Sequence, residues 1–208
     1  ENYKKIVKIY QDNSADNSFS YAGLCNNFGL YYQNIGNMKA AYDLHLNSLD
    51  VLKNYDSEEY LLEYAVTLSN LFNPCYQLGM KEKAVEYLYK AIEIFEKNVG
   101  KEHPLYSASL NNMAIYYYNE RQLEKAIEFF EKAAEISKKT MGLDSDNYKN
   151  ILSNIEFIKE ELRNASSDNT SPNIKNHEKN EVIENVKKED LENIKGLELS
   201  KKYFYDIV

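Results

Sequence analysis

A self-repeat constrains this chain more than any other feature. Four segments fall into register: Tyr21-Ala-Gly-Leu-Cys-Asn-Asn27, Tyr64-Ala-Val-Thr-Leu-Ser-Asn70, Tyr106-Ser-Ala-Ser-Leu-Asn-Asn112 and Tyr148-Lys-Asn-Ile-Leu-Ser-Asn154. Successive tyrosines are 43, 42 and 42 residues apart. A period of this length marks an array in which each unit is one supersecondary element that buries its apolar face only by stacking on a neighbour.

The unit is a pair of helices. Apolar or small residues recur at Phe28, Gly29 and Tyr32, at Leu71, Phe72 and Cys75, and at Met113, Ala114 and Tyr117. The i, i+1, i+4 spacing is the buried stripe of a helix. A second stripe follows each first one: Ala41, His45, Ser48, Val51; then Ala84, Leu88, Ala91, Ile94; then Ala126, Phe130, Ala133, Ile136. Turns are expected near Gly36, Gly79 and Arg121. The spacing predicts helices over 19–35 and 38–54, 57–78 and 81–98, 103–119 and 122–141, with a capping helix over 145–163. Asn2 to Tyr10 read as the tail of an earlier second helix. Only 7 Gly and 3 Pro in 208 residues agree with long helices rather than sheets.

These residues carry a resemblance. The pattern resembles the tetratricopeptide repeat, in the 42-residue variety of kinesin light chains. Gly29, Tyr32 and Ala41 match the family's small, aromatic and alanine places, as do Ala114, Tyr117, Ala126, Phe130 and Ala133. Gly100-Lys-Glu-His-Pro104 and Leu110-Asn-Asn112 are similar to that variety's linker and first helix. The resemblance implies an all-α fold, a right-handed superhelical solenoid of antiparallel helix hairpins over 1–163. The middle unit departs from the pattern: Phe72 fills the small place and Pro74 lies inside a helix, where a kink is expected. A polar linker is expected over 164–180, followed by a helical segment over 181–208. From Ile194 to Phe204 that segment resembles the opening helix of a bacterial nucleotidyltransferase-like domain, without that family's carboxylate motif. The chain is therefore expected to be part of a longer cytoplasmic protein.

In such hairpins the first helices line the concave face. The first unit places Asn26, Asn27, Gln33 and Asn34 there. The second places Ser69, Asn70, Asn73, Tyr76 and Gln77, and the third Asn111, Asn112, Tyr118 and Asn119. Asn154 holds the matching place in the last helix. A carboxamide both donates and accepts, so spaced amides can pair with an extended peptide backbone. The resemblance implies the same use of Asn27, Asn70, Asn112 and Asn154. The competing reading is that these amides bond the neighbouring helix and hold the stack. Lys and Arg are missing from this face, which excludes a basic clamp for a C-terminal carboxylate.

The remaining residues argue against chemistry. The net charge of −8 disfavours nucleic acid and anionic membranes as partners. Cys25 and Cys75 lack redox or metal spacing and read as core thiols. His45 falls on an apolar stripe, His103 at a helix start and His177 in the linker, so no metal or other cofactor is expected. Tyr116-Tyr117-Tyr118 point to different faces, with Tyr117 in the core and Tyr118 on the groove. The expected function is a non-catalytic scaffold for a protein or extended peptide. Two alternatives are a docking module for a downstream catalytic domain in the same protein, and a peptide-sensing regulator. Pairing of copies through the C-terminal helix is also compatible with the pattern.

Overall fold

A computed structural model describes residues 2–13, 15, 18–55 and 58–167. The expected linker beyond 167 and the helical segment over 181–208, with its nucleotidyltransferase-like resemblance, lie outside the described residues. The described residues contain helices alone. They are α1 (Asn2–Asp12), α2 (Phe19–Asn34), α3 (Met38–Leu52), α4 (Glu58–Gln77), α5 (Lys81–Asn98), α6 (Pro104–Asn119), α7 (Leu123–Met141) and α8 (Asp146–Ser167). Each bound falls within a few residues of the periodicity, except that α8 runs four residues past 163 into the expected linker.

Two compact units divide the described residues at the α5–α6 connection, 1–98 and 99–167. In the first, α2 packs on α3, α3 on α4, and α4 on α5. In the second, α6 packs on α7 and α7 on α8.

Local chemistry sets the helix ends. Ser18 caps α2 by accepting from the Tyr21 amide at 3.2 Å, and Asn37 caps α3 by accepting from Ala40 at 3.1 Å. His103 caps α6 through Nδ1, which accepts from the Leu105 amide at 3.2 Å, and Pro104 takes the first helical position. His103 thus lies at a helix start, as the sequence placed it. The hairpin turns need a left-handed residue, which Gly36 and Gly79 supply at φ 79° and 82°. The third hairpin places Arg121 there at φ 60°, and its guanidinium reaches Glu161 of α8 at 2.6 Å.

The apolar stripes form the core. Ala41, Ala84, Ala91, Ala126 and Ala133 are fully buried, so paired helices approach closely. On α5, Phe95 rather than Ile94 completes the stripe, Ile94 being half-buried. Gly29 meets His45 in the first hairpin, while the matching places hold Phe72 and Leu88, then Ala114 and Phe130. A Cβ on Gly29 would stand 2.5 Å from His45 Cε1, so the histidine needs a glycine opposite it. Ile6, Val7 and Tyr10 of α1 pack on a core of Tyr21, Leu24, Cys25, Leu44 and Leu52, as expected of a preceding helix.

Pro74 does not end α4. The helix continues to Gln77, and Leu78 donates to the Pro74 carbonyl at 3.0 Å. The proline has no N–H for the carbonyl of Asn70, four residues earlier. Gln33 of α2 supplies that donor instead, with Nε2 at 3.1 Å.

Candidate functional site

Charge is partitioned between the helices of each pair. The sequences of α2 and α6 contain no charged residue, and α4 carries only Glu58, Glu59 and Glu63. The second helices carry the lysine–acid pairs: Lys39–Asp43 on α3, Lys90–Glu86 and Lys97–Glu93 on α5, Lys132–Glu128 and Lys139–Glu135 on α7. These pairs are exposed to solvent, which screens them, and contribute little to stability. They form a solvated face.

In the first unit the predicted amides come together between α2 and α4. Asn26 is 2% exposed. Its Nδ2 donates to Glu63 Oε1 at 3.1 Å, and its Oδ1 accepts from Asn70 Nδ2 at 3.1 Å. Further along both helices, Gln33 Oε1 accepts from Asn73 Nδ2 at 3.2 Å. Gln33 Nε2 lies 2.8 Å from His45 Nε2 in addition to its bond with the Asn70 carbonyl. A hydroxyl pair, Ser48 and Thr67, joins α3 to α4 at 3.4 Å, and Thr67 donates back to the Glu63 carbonyl. Asn27, Ser69, Asn70, Asn73 and Tyr76 are half-buried, while Asn34 and Gln77 are exposed.

Asn26 is thus enclosed, as the stack-holding reading requires. Asn70 and Asn73 use one side of the amide for the stack and remain partly open to solvent.

Two ionisable groups are enclosed with this network. Burial pushes the Glu63 carboxyl up to about 7, against the lowering effect of the Asn26 bond. Sequence reasoning did not single out Glu63. Its only signal was an acid on the otherwise uncharged stretch 60–77. Burial lowers His45 to about 3, so the ring is neutral. Gln33 donates to Nε2, which puts the proton on Nδ1, a buried atom with no partner.

In the second unit Asn111, Asn112 and Asn119 are half-buried on α6. Two placements differ from expectation. Tyr118 is 4% exposed and meets the Phe157 edge of α8 at 6.3 Å, so it is packed rather than on a groove. Tyr117, expected in the core, is half-buried and stacks on Phe129 at 5.2 Å. A helix turns 100° per residue, so α8 takes up the face next to the expected one. Asn154, in α8, is likewise buried.

Cys25 and Cys75 are free buried thiols, and burial raises Cys75 to about 11. Among the described residues no His, Cys, Asp and Glu cluster could hold a metal ion, and no helix is long and apolar enough to cross a membrane.

Residues 63–139 match the family model of the tetratricopeptide repeat. No curated protein matches the chain at a significant level. Among solved structures, BtubC (BKLC) from P. vanneervenii is similar at 16% identity over 74% of this chain and 68% of that one, with a TM-score of 0.53. A Podosopora anserina protein described as a kinesin light chain with nearly identical TPR-like repeats is 22% identical over 71% of both chains, with a TM-score of 0.58. The fold of the chain is the all-α tetratricopeptide solenoid.

Proposed function

We propose that the first unit is a non-catalytic scaffold that binds an extended segment of a partner protein along α2 and α4. Tetratricopeptide repeats generally serve protein–protein interaction. The observation that carries the reading is the coincidence of half-buried amides with helices almost free of charge. Asn70 and Asn73 each give one amide bond to the neighbouring helix and are only half-buried. An amide that bonds its neighbour and still meets solvent can also bond a peptide backbone. The wider set Asn26, Asn27, Asn34, Asn70, Asn73 and Tyr76 narrows accordingly: Asn26 supports, while Asn27, Asn34, Asn70, Asn73 and Tyr76 contact the ligand.

The test is selection of a random dodecapeptide phage library on the full chain, followed by NMR titration with a selected peptide. Shifts in the side-chain amides of α2 and α4 support the reading. Selection of no peptide, or shifts confined to α3 and α5, would contradict it.

A further inference from the structure

The amides of the first unit form a directed chain. Glu63 as a carboxylate can only accept, so Asn26 must turn its NH₂ toward it. That leaves Asn26 Oδ1 facing Asn70, whose NH₂ must donate. Asn70 Oδ1 is then the group left over, and no partner among the described residues takes it. Asn70 is half-buried, so this oxygen is available to a bound molecule. Glu63 and Asn26 are too enclosed to swap partners without breaking the α2–α4 contact.

We propose that Glu63 is a positioning residue that fixes the direction of the Asn26–Asn70 amide chain, so that Asn70 meets the bound peptide as an acceptor and takes a backbone N–H. The inference rests on the peptide-binding reading of the same face and adds the polarity of the ligand group. A glutamine at 63 can donate as well as accept. Its amide can bond Asn26 with Oδ1 and NH₂ exchanged, and the whole chain can then reverse. The acceptor preference at Asn70 disappears while the contact between helices is kept.

The experiment uses a library-selected peptide whose binding Asn70→Ala weakens, at pH 8.5, where Glu63 is ionised. A scan of the peptide by backbone N-methylation should find one position at which affinity for the wild type falls at least tenfold. Replacing each lysine by norleucine should not reproduce that loss. With Glu63→Gln, the penalty for N-methylation at that position should shrink to less than threefold. An equal penalty in wild type and variant would overturn the inference while leaving peptide binding intact, and so would a dominant lysine effect. Should Glu63→Gln not fold, the wild-type scan decides alone: an N-methyl-sensitive position supports the acceptor role, and a flat scan overturns it. Absence of any selected peptide would remove the binding reading and this inference with it.

Discussion

The side-chain amide of Gln33 donates across 3.1 Å to the main-chain carbonyl of Asn70, the one carbonyl of α4 that Pro74 leaves without a helical donor. A defect in one helix is repaired by the next one in the stack, and this fixes the register of α2 on α4. Gln33→Leu should leave that carbonyl unpaired and cost about 1–3 kcal/mol. Pro74→Ala in the same background restores a helical N–H and should recover part of the loss. Urea midpoints of the two single variants and the double variant measure the coupling. Strict additivity would show that the carbonyl bond has no energetic role.

Gly29→Ala should be among the most damaging small changes in the first unit. The new methyl would lie within 2.5–2.8 Å of three His45 ring atoms. Overpacking of this kind costs about 1–3 kcal/mol. His45→Ala combined with Gly29→Ala should recover stability relative to Gly29→Ala alone, as read from melting temperatures. Equal melting temperatures for Gly29→Ala and wild type would show that the ring moves aside freely.

Ala126 and Ala133 are both fully buried, and the Ala133 carbonyl accepts from Ser107 Oγ of α6 at 2.9 Å. Ala126→Leu or Ala133→Leu should each cost about 1–3 kcal/mol by forcing α6 and α7 apart. Thermal melts of the two variants check this, and no change in either would mean the hairpin has slack the structure does not show.

Stability should pass through a broad plateau in mildly acid solution. Glu63 ionises at about 7 in the folded state and at 4.5 ordinarily. Its contribution is therefore complete below pH 4.5 and is lost as pH rises through 7. His45 is depressed from 6.5 to about 3, so its contribution is complete above pH 6.5 and is lost as pH falls through 3. The two slopes oppose each other between about pH 4.5 and 6.5; beyond that window Glu63 alone lowers stability by about 0.7 kcal/mol up to pH 7, and His45 alone by about 2 kcal/mol between pH 4.5 and 3. Urea midpoints from pH 3 to 9 should fall at both ends. Glu63→Gln should abolish the fall on the alkaline side, and an unchanged profile in that variant would refute the assignment.

The helices were legible because the repeat period and the apolar stripes are consequences of burial, which acts on residue type alone. His103 was legible as a helix start because Pro104 follows it. Tyr117 and Tyr118 were misplaced because adjacent positions on a helix differ by 100°, and the packing of α8 decides which of them is covered. The periodicity carried α4 through Pro74, but the repair of its broken bond could not be read from its own sequence, since the rescuing amide lies 37 residues away. Glu63 escaped notice for the same reason. An acid near a helix start is ordinarily solvated, and only its contact with Asn26 shows that this one is enclosed.

The most direct test of the scaffold reading is the Asn70→Ala, Asn73→Ala double variant, assayed by isothermal titration with a library-selected peptide and by thermal melting. An amide bonded to a peptide backbone is worth about 0.5–1.5 kcal/mol, so the pair should weaken binding by roughly tenfold or more while the fold survives. Unchanged affinity together with a large fall in melting temperature would assign both asparagines to the stack alone and contradict the account.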